Sequence, residues 1–432
     1  MQQKQMEAGD QPLIYVEPKK RRAFFVILYL LFIFDFISRI GINSIFPVIQ
    51  SDLGLSDTQV GMMGSVVLVG MAVLVLPVSF LGEKYSPKKA ISLSALVWSI
   101  GTLLSGIASN FSLLLSSRFL VGAGNSAYAP LSNSMLTSMY SKKEWGRTIG
   151  LYNTAMSLGM ALGALVFAHL AENFGWRMAF YTVSVISFLL TIASLALPDP
   201  KAMMDLQSKE TAKEKDKKKN SVNVKDALHI LGSNKALLGV CLGAGLGGLV
   251  NQGILSWLSI YFVREMDMSI GFAATLISVL SLLTAFGYPI GGAIMDRWYK
   301  YDRRCRVLLP SICLAIAVIG FIVGFRFRLV PAIFIGCFCI TTASTSYHVS
   351  TQELVPTWYK SVSYGVYVLF LKFFGAMGPV LTGFLSETFG LIPALSIIQI
   401  CLLVSIVVFL VTSRVYIKYA DTSRQLEAEA GL

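Results

Sequence analysis

Apolar residues in this chain neither alternate nor scatter. They run in blocks of about twenty, the length a helix needs to cross a bilayer, divided by short polar stretches. The first half predicts spanning helices near 23–46, 59–80, 90–109, 113–140, 147–170 and 176–197. The second half predicts them near 236–263, 270–295, 307–325, 329–354, 361–386 and 392–413. Between the halves lies a polar stretch containing TAKEKDKKKN, too charged to pack and readable as a linker. The organisation expected is a 1–22 N-terminal segment, a 23–197 six-helix bundle, a 198–235 linker, a 236–414 six-helix bundle and a 415–432 tail.

Composition agrees with that pattern. Of the 432 residues, 14% are charged, against roughly 25% in a soluble globular protein, and 55% are hydrophobic. The whole length therefore reads as a polytopic membrane protein with the bilayer as its solvent. The net charge of +12 does not point to nucleic acid, because Lys and Arg cluster in short loops between apolar blocks. Those clusters are Lys19–Arg22, Lys84–Lys89, Lys142–Arg147, the linker and Arg297–Arg306, whereas Ser51–Thr58 carries only acids. Arg326 and Arg328 are the exception. Positive residues are retained on the cytoplasmic side, so both termini are expected there, in what reads as a bacterial inner membrane. No cleavable signal peptide is apparent, since KKRR leads straight into a full-length span. The six cysteines lie mostly in or beside apolar blocks and read as small core residues.

Charges inside the blocks are the informative positions. Asp35 and Arg39 sit mid-span, four residues apart and on one helical face. A charge at the bilayer centre costs at least about 2.5–3.5 kcal/mol, so the pair must face protein or water. Arg39 can grip a carboxylate or phosphate with two parallel hydrogen bonds; it can also be a structural partner of Asp35. Asp35 can hold Arg39 until a substrate displaces it, or take up a proton. Lys372 lies mid-span, too far from either end to snorkel easily. Arg118 suits cavity lining or bracing. His348 is the one His well inside a span, a proton carrier or a hydrogen-bonded core residue. Asn125, Tyr128, Asn153, Asn251 and Gln252 can line a cavity or join helices by hydrogen bonds. The glycines of GAGLGGLV fit close helix packing better than a nucleotide loop, because no strand precedes them.

A local repeat ties the halves together. After the second span of each half comes a charged turn: SFLGEKYSPKK with Glu83-Lys84, and GGAIMDRWYKYDRR with Asp296-Arg297. Such a pair at a helix end can latch a neighbouring helix by charge-assisted hydrogen bonds. Gly292-x-x-x-Asp296-Arg297 resembles the signature loop of the major facilitator superfamily, and Arg118-x-x-x-Gly122 is similar to another of its motifs. The first-half copy is degenerate, with Ser79, Glu83 and Lys84 in place of Gly, Asp and Arg. The resemblance covers essentially the whole chain. It implies an all-α membrane fold: about twelve transmembrane helices in two pseudo-symmetric six-helix bundles, rocking about a central cavity.

Particular stretches resemble neighbouring branches. SKKEWGRTIGLYNTAMSLGMALGALV and NQGILSWLSIYF are similar to the organophosphate:phosphate antiporters. ISRIGINSIFPVIQSDLGLS and RFLVGAGNSAYAP resemble the anion:cation symporters and the Spinster-like lipid transporters. The surroundings of Lys372 are similar to the oxalate:formate exchangers. The resemblance implies substrate binding by Arg39, but Asn251 stands where the antiporters carry a second Arg. Ser38 and Asn125 stand where the symporters carry proton-handling acids.

The function expected is secondary active transport of a small organic anion, a carboxylate or a phosphorylated metabolite, coupled to protons or to an exchanged anion. Substrate contacts are expected from Arg39, Lys372, Asn251, Gln252, Tyr128, Asn125, Asn153 and Arg118, coupling from Asp35 and His348, and latching from Glu83, Lys84, Asp296 and Arg297. The alternatives are a Spinster-like or drug-type exporter of an amphipathic solute, and a non-transporting sensor on a transporter fold. The sequence carries no metal cluster, phosphate loop or nucleophile constellation, so an enzyme, a cofactor or a metal is not expected. The partners expected are a small anionic substrate, a coupling ion or counter-anion and the lipid bilayer, around a monomer.

Overall fold

The computed structural model describes residues 16–84, 86–141, 144–196 and 232–429. The linker expected at 198–235 falls almost wholly outside them. Helices make up the ordered elements, with no strand among the described residues. In the first half they are α1 (Pro18–Ile40), α2 (Phe46–Leu53), α3 (Asp57–Lys84), α4 (Pro87–Ile107), α5 (Phe111–Asn125), α6 (Tyr128–Met139), α7 (Trp145–Phe174) and α8 (Trp176–Ala196). In the second half they are α9 (Lys235–Met266), α10 (Ile270–Ala285), α11 (Gly287–Tyr299), α12 (Cys305–Phe327), α13 (Val330–Glu353), α14 (Lys360–Phe389), α15 (Leu391–Ile397) and α16 (Ile400–Glu429).

Helix ends follow local chemistry. The side chains of Ser86, Asn110 and Asn234 accept from the amides of Lys89, Leu113 and Leu237, satisfying first-turn donors. Gly54 closes α2 at φ +59°, where a Cβ would be strained. Prolines explain two interruptions. Pro130 has no N–H to give the Ser126 carbonyl, and the fourth span divides at Ser126–Ala127. Pro289 does the same to the Ala285 carbonyl, dividing α10 from α11. Gln399 interrupts the last span differently: its Nε2 donates to the Leu395 carbonyl at 3.1 Å, competing with the backbone.

Among the described residues, eleven segments are long and apolar enough to cross a membrane. The divided fourth span, α5 plus α6, completes the expected twelve. The final helix differs from expectation: α16 continues through the tail expected from 415 and ends at Glu429. The outward surface suits lipid. Val185, Leu189, Ile192 and Leu195 form an exposed stripe at helical spacing on α8, and Ile312, Ile316, Ile319 and Ile322 form another on α12. All six cysteines are free thiols, four of them buried.

The chain packs as two compact units. One contains the described residues of Met1–Gly54, Val66–Lys217 and Ser269–Ser278; the other contains Leu55–Ser65, Met268 and the residues before it back to the linker, and Val279–Leu432. Each unit therefore takes a short piece of the other sequence half. In the first, Ser278 donates to the Ala161 carbonyl at 2.7 Å, and Glu172 accepts from the Gly271 amide at 2.6 Å. There α1 lies directly on α7: a Cβ on Gly159 would come within 2.6 Å of the Ile33 carbonyl oxygen. In the second unit, a Cβ on Gly378 of α14 would meet the Leu249 carbonyl of α9 at 2.1 Å, so those helices also touch through backbone.

Candidate functional site

The first unit gathers Asp35, Arg39 and Arg118. α1 ends at Ile40 and tightens into a 3-10 turn over Gly41–Ile45, so its last carbonyls lose regular helical partners. Arg118, wholly buried on α5, fills that gap. Its Nη1 donates to the Ser38 carbonyl and its Nη2 to the Arg39 carbonyl, each at 2.8 Å. The positive guanidinium at the negative end of a helix is the favourable arrangement. Of the two roles expected for Arg118, this geometry is the brace.

With its backbone held, Arg39 presents its side chain over its own helix. Its Nη2 lies 3.5 Å from Asp35 Oδ2, with the Asp35 side chain buried and that of Arg39 mostly so. The guanidinium stacks at 4.3 Å on the Phe36 ring and its Nη1 reaches Met71 Sδ at 3.7 Å. The ion pair is loose rather than bidentate, so the planar fork is not consumed by Asp35. Two guanidiniums and one carboxylate sum to +1 in a low-dielectric setting, where charge left over is costly. Arg39 Nε, Arg118 Nε and both amide atoms of Asn125 are buried without a hydrogen-bond partner among the described residues. Such groups call for ordered water or the oxygens of a ligand.

An aromatic cluster packs on the same face of α1, one turn before Asp35. Phe32 stacks on Tyr152 at 4.7 Å with rings 6° apart and lies 5.8 Å from Tyr128, which Trp98 meets edge-on at 5.1 Å. Tyr128 is fully buried and donates to the Leu28 carbonyl at 2.7 Å, so its hydroxyl supports α1. Asn153, beside Tyr152, is exposed.

The remaining residues singled out in the sequence belong to the second unit. Asn251 and Gln252 are half-buried on α9, and Lys372 is half-buried on α14. His348 on α13 packs between Tyr364 and Tyr367, at ring distances of 5.6 and 5.0 Å. Asp296 and Arg297 are exposed on α11 and make no ion pair among the described residues. The side chains of Glu83 and Lys84 lie outside the described residues.

Two ionic clusters escaped the sequence reading. Glu353, at the end of α13, is a hub: Arg306 Nη1 reaches Oε2 at 2.6 Å, Arg424 Nη2 reaches Oε1 at 2.8 Å and Arg303 Nη2 lies 3.9 Å away. Tyr299 and Tyr416 also donate hydroxyls to it, at 2.9 and 2.8 Å. Asp57, in the first turn of α3, takes Arg264 bidentately at 2.8 and 2.9 Å and accepts from the Ser386 hydroxyl. An acid at the end of an apolar block was the only sequence signal for either, and it does not name the partner.

Residues 28–379 match the sequence profile of the Major Facilitator Superfamily. The chain is 24% identical over 385 residues to a probable L-galactonate transporter of Escherichia coli, covering 84% of this chain and 82% of that protein. It is 25% identical over 380 residues to a hexuronate transporter of Bacillus subtilis, covering 84% and 87%. In three dimensions it is similar to a bacterial homologue of the human lysosomal transporter Spinster, in an inward-facing, unoccupied conformation. That likeness has a TM-score of 0.77 at 20% identity and covers 95% of this chain and 99% of the other. A helical fold that exposes apolar stripes, buries a cationic cluster at the end of its first helix and matches one profile over most of its length has a single reading: the chain is a multi-pass integral membrane protein and belongs to the Major Facilitator Superfamily.

Proposed function

We propose that the chain is a secondary transporter of a small organic anion, and that Arg39 binds the anion's carboxylate. The observation that carries this is the Asp35–Arg39–Arg118 cluster, buried in the first unit with a net charge of +1 and with Arg39 only loosely engaged. Both terminal nitrogens of Arg118 are held at 2.8 Å by backbone carbonyls, whereas those of Arg39 make only long contacts of 3.5 Å to Asp35 and 3.7 Å to Met71 Sδ, so Arg39 is the cation better able to turn to a ligand. The relatives' names favour a carboxylate over a phosphate ester: L-galactonate and hexuronate are hydroxylated acids. In the proposed cycle Asn125, whose amide atoms are buried without a partner, takes a hydroxyl of the same anion. The likeness to the Spinster homologue speaks for the fold alone.

Driving force comes from a proton or an exchanged anion, with Asp35 as the coupling group: a substrate carboxylate competing for Arg39 frees Asp35 to take a proton. The basic loops put both termini in the cytoplasm of a bacterial inner membrane. The test is uptake of labelled hexuronate or galactonate into proteoliposomes by the wild type and Arg39→Ala, with folding checked by size-exclusion profile. Uptake in the wild type and none in a folded Arg39→Ala is expected. Undiminished uptake by that variant would overturn the proposal.

A further inference from the structure

A cavity of about 390 Å³ lies wholly within the second unit, at the end of α13 that carries Glu353. Arg306, Lys360, Arg424, His348 and Gln352 line it together with Glu353 and Glu427. Glu353 has no capacity to spare, since three arginines and two tyrosine hydroxyls already converge on it. Donor capacity is left over on the wall. Lys360 makes no ion pair among the described residues and Arg306 Nε is buried without an acceptor. The His348 ring and the exposed Gln352 amide add groups that can donate or accept. A space with spare cationic donors, and with three cations against two carboxylates, suits an oxygen-rich anion.

A second observation marks where such a group sits. The Glu427 carboxylate, carried in from α16, accepts from the backbone N–H of Thr357 at 2.6 Å and from the same residue's hydroxyl. Thr357 opens the turn that leads into α14, whose first residue is Lys360. The Thr357 backbone N–H and hydroxyl form a donor pair that suits one oxygen of a carboxylate or phosphate. The chain's own carboxylate occupies it.

We propose that this cavity is an anion site distinct from the Asp35–Arg39–Arg118 cluster, that it takes a phosphate or carboxylate group, and that Glu427 is a tethered competitor for it. The ligand chemistry is shared by a free anion and by a phospholipid headgroup. Binding displaces the Glu427 carboxylate from Thr357 and frees the end of α16 from the start of α14. The proposal does not depend on what the protein transports.

The full-length protein in phosphatidylcholine nanodiscs, titrated calorimetrically with inorganic phosphate, tests this. Removing a unit charge a few ångströms from the anion changes affinity about tenfold in a partly solvated cleft. Lys360→Gln should therefore weaken phosphate binding about tenfold and Glu427→Gln should strengthen it about tenfold, while Arg39→Ala leaves this binding in place. The opposite signs separate the effect from general loss of fold. Discs containing phosphatidylglycerol distinguish the sources. If apparent phosphate affinity falls there in the wild type but not in Lys360→Gln, the site takes a lipid headgroup; if affinity is equal in both discs, the site takes the free anion. Equal phosphate affinity in wild type, Lys360→Gln and Glu427→Gln would overturn the proposal. So would binding lost in Arg39→Ala and retained in Lys360→Gln.

Discussion

Arg118 holds the backbone of Arg39: a wholly buried guanidinium on α5 donates to the Arg39 carbonyl at 2.8 Å and to the neighbouring Ser38 carbonyl at the same distance. One arginine thus positions another through the main chain, leaving the second side chain to its looser contacts with Asp35, Phe36 and Met71. Arg118→Lys keeps the charge but cannot span two carbonyls. Losing one charge-assisted hydrogen bond and leaving a buried carbonyl unpaired should destabilise the protein by about 2–3 kcal/mol. The expected readout is a lower melting temperature in detergent together with a several-fold higher KM. A lower melting temperature with KM unchanged would show that Arg118 serves stability without positioning Arg39.

Under the proposed function, the loose 3.5 Å contact between Arg39 and Asp35 lets binding and coupling be tested apart. Asp35→Asn leaves Arg39 in place and removes the group proposed to carry the proton. Exchange of labelled for unlabelled substrate should persist in proteoliposomes, while accumulation driven by an imposed pH gradient should disappear. Retained gradient-driven accumulation would assign coupling elsewhere.

Glu353 is the acid that makes Arg303, Arg306 and Arg424 compatible in one place. Glu353→Gln leaves Arg306 and Arg424 without their carboxylate, while Arg303 keeps Asp421 at 2.7 Å. Breaking a buried ionic cluster from one side typically costs about 3–5 kcal/mol. Thermal unfolding should fall sharply, and adding Arg306→Gln should restore part of the loss rather than add to it. Strict additivity of the two changes would show that the pair is not coupled.

Asp57 and Arg264 form the best-aligned ion pair in the second unit, with two hydrogen bonds at 2.8 and 2.9 Å. Arg264 is 39% exposed, so the pair is worth about 1 kcal/mol or less. Asp57→Asn and Arg264→Gln should each lower the melting temperature only slightly, and the double variant should match either single one. Transport rates should respond more than stability does if separation of Leu55–Ser65 from α9 and α14 belongs to the cycle. Unchanged rates in all three variants would exclude that role.

Contact through backbone leaves no room for side chains where α1 meets α7. Gly159→Val would drive its side chain into the Ile33 carbonyl, since even a Cβ there sits at 2.6 Å. Overpacking of this kind costs about 1–3 kcal/mol. Because Ile33 lies only two residues before Arg39's partner Asp35 on α1, a lower melting temperature and impaired substrate binding are expected together; thermal shift and uptake assays check both.

The chain by itself determined the all-α membrane fold and marked Asp35 and Arg39 as charges that must be sheltered from lipid. Each rests on local physics: block length against bilayer thickness, and the cost of charge in hydrocarbon. Pro130 and Pro289 also make two helix interruptions readable, because a missing N–H acts on a carbonyl only four residues away. What only the tertiary structure decided is who meets whom. Arg118 braces the end of α1 across a sequence separation of about eighty residues, Glu353 collects arginines from α16 and from around the start of α12, and Glu427 returns to the start of α14. No periodicity encodes those meetings. They depend on which faces of the helices pack together, and a long polar side chain is satisfied by whichever partner that packing brings within 3 Å.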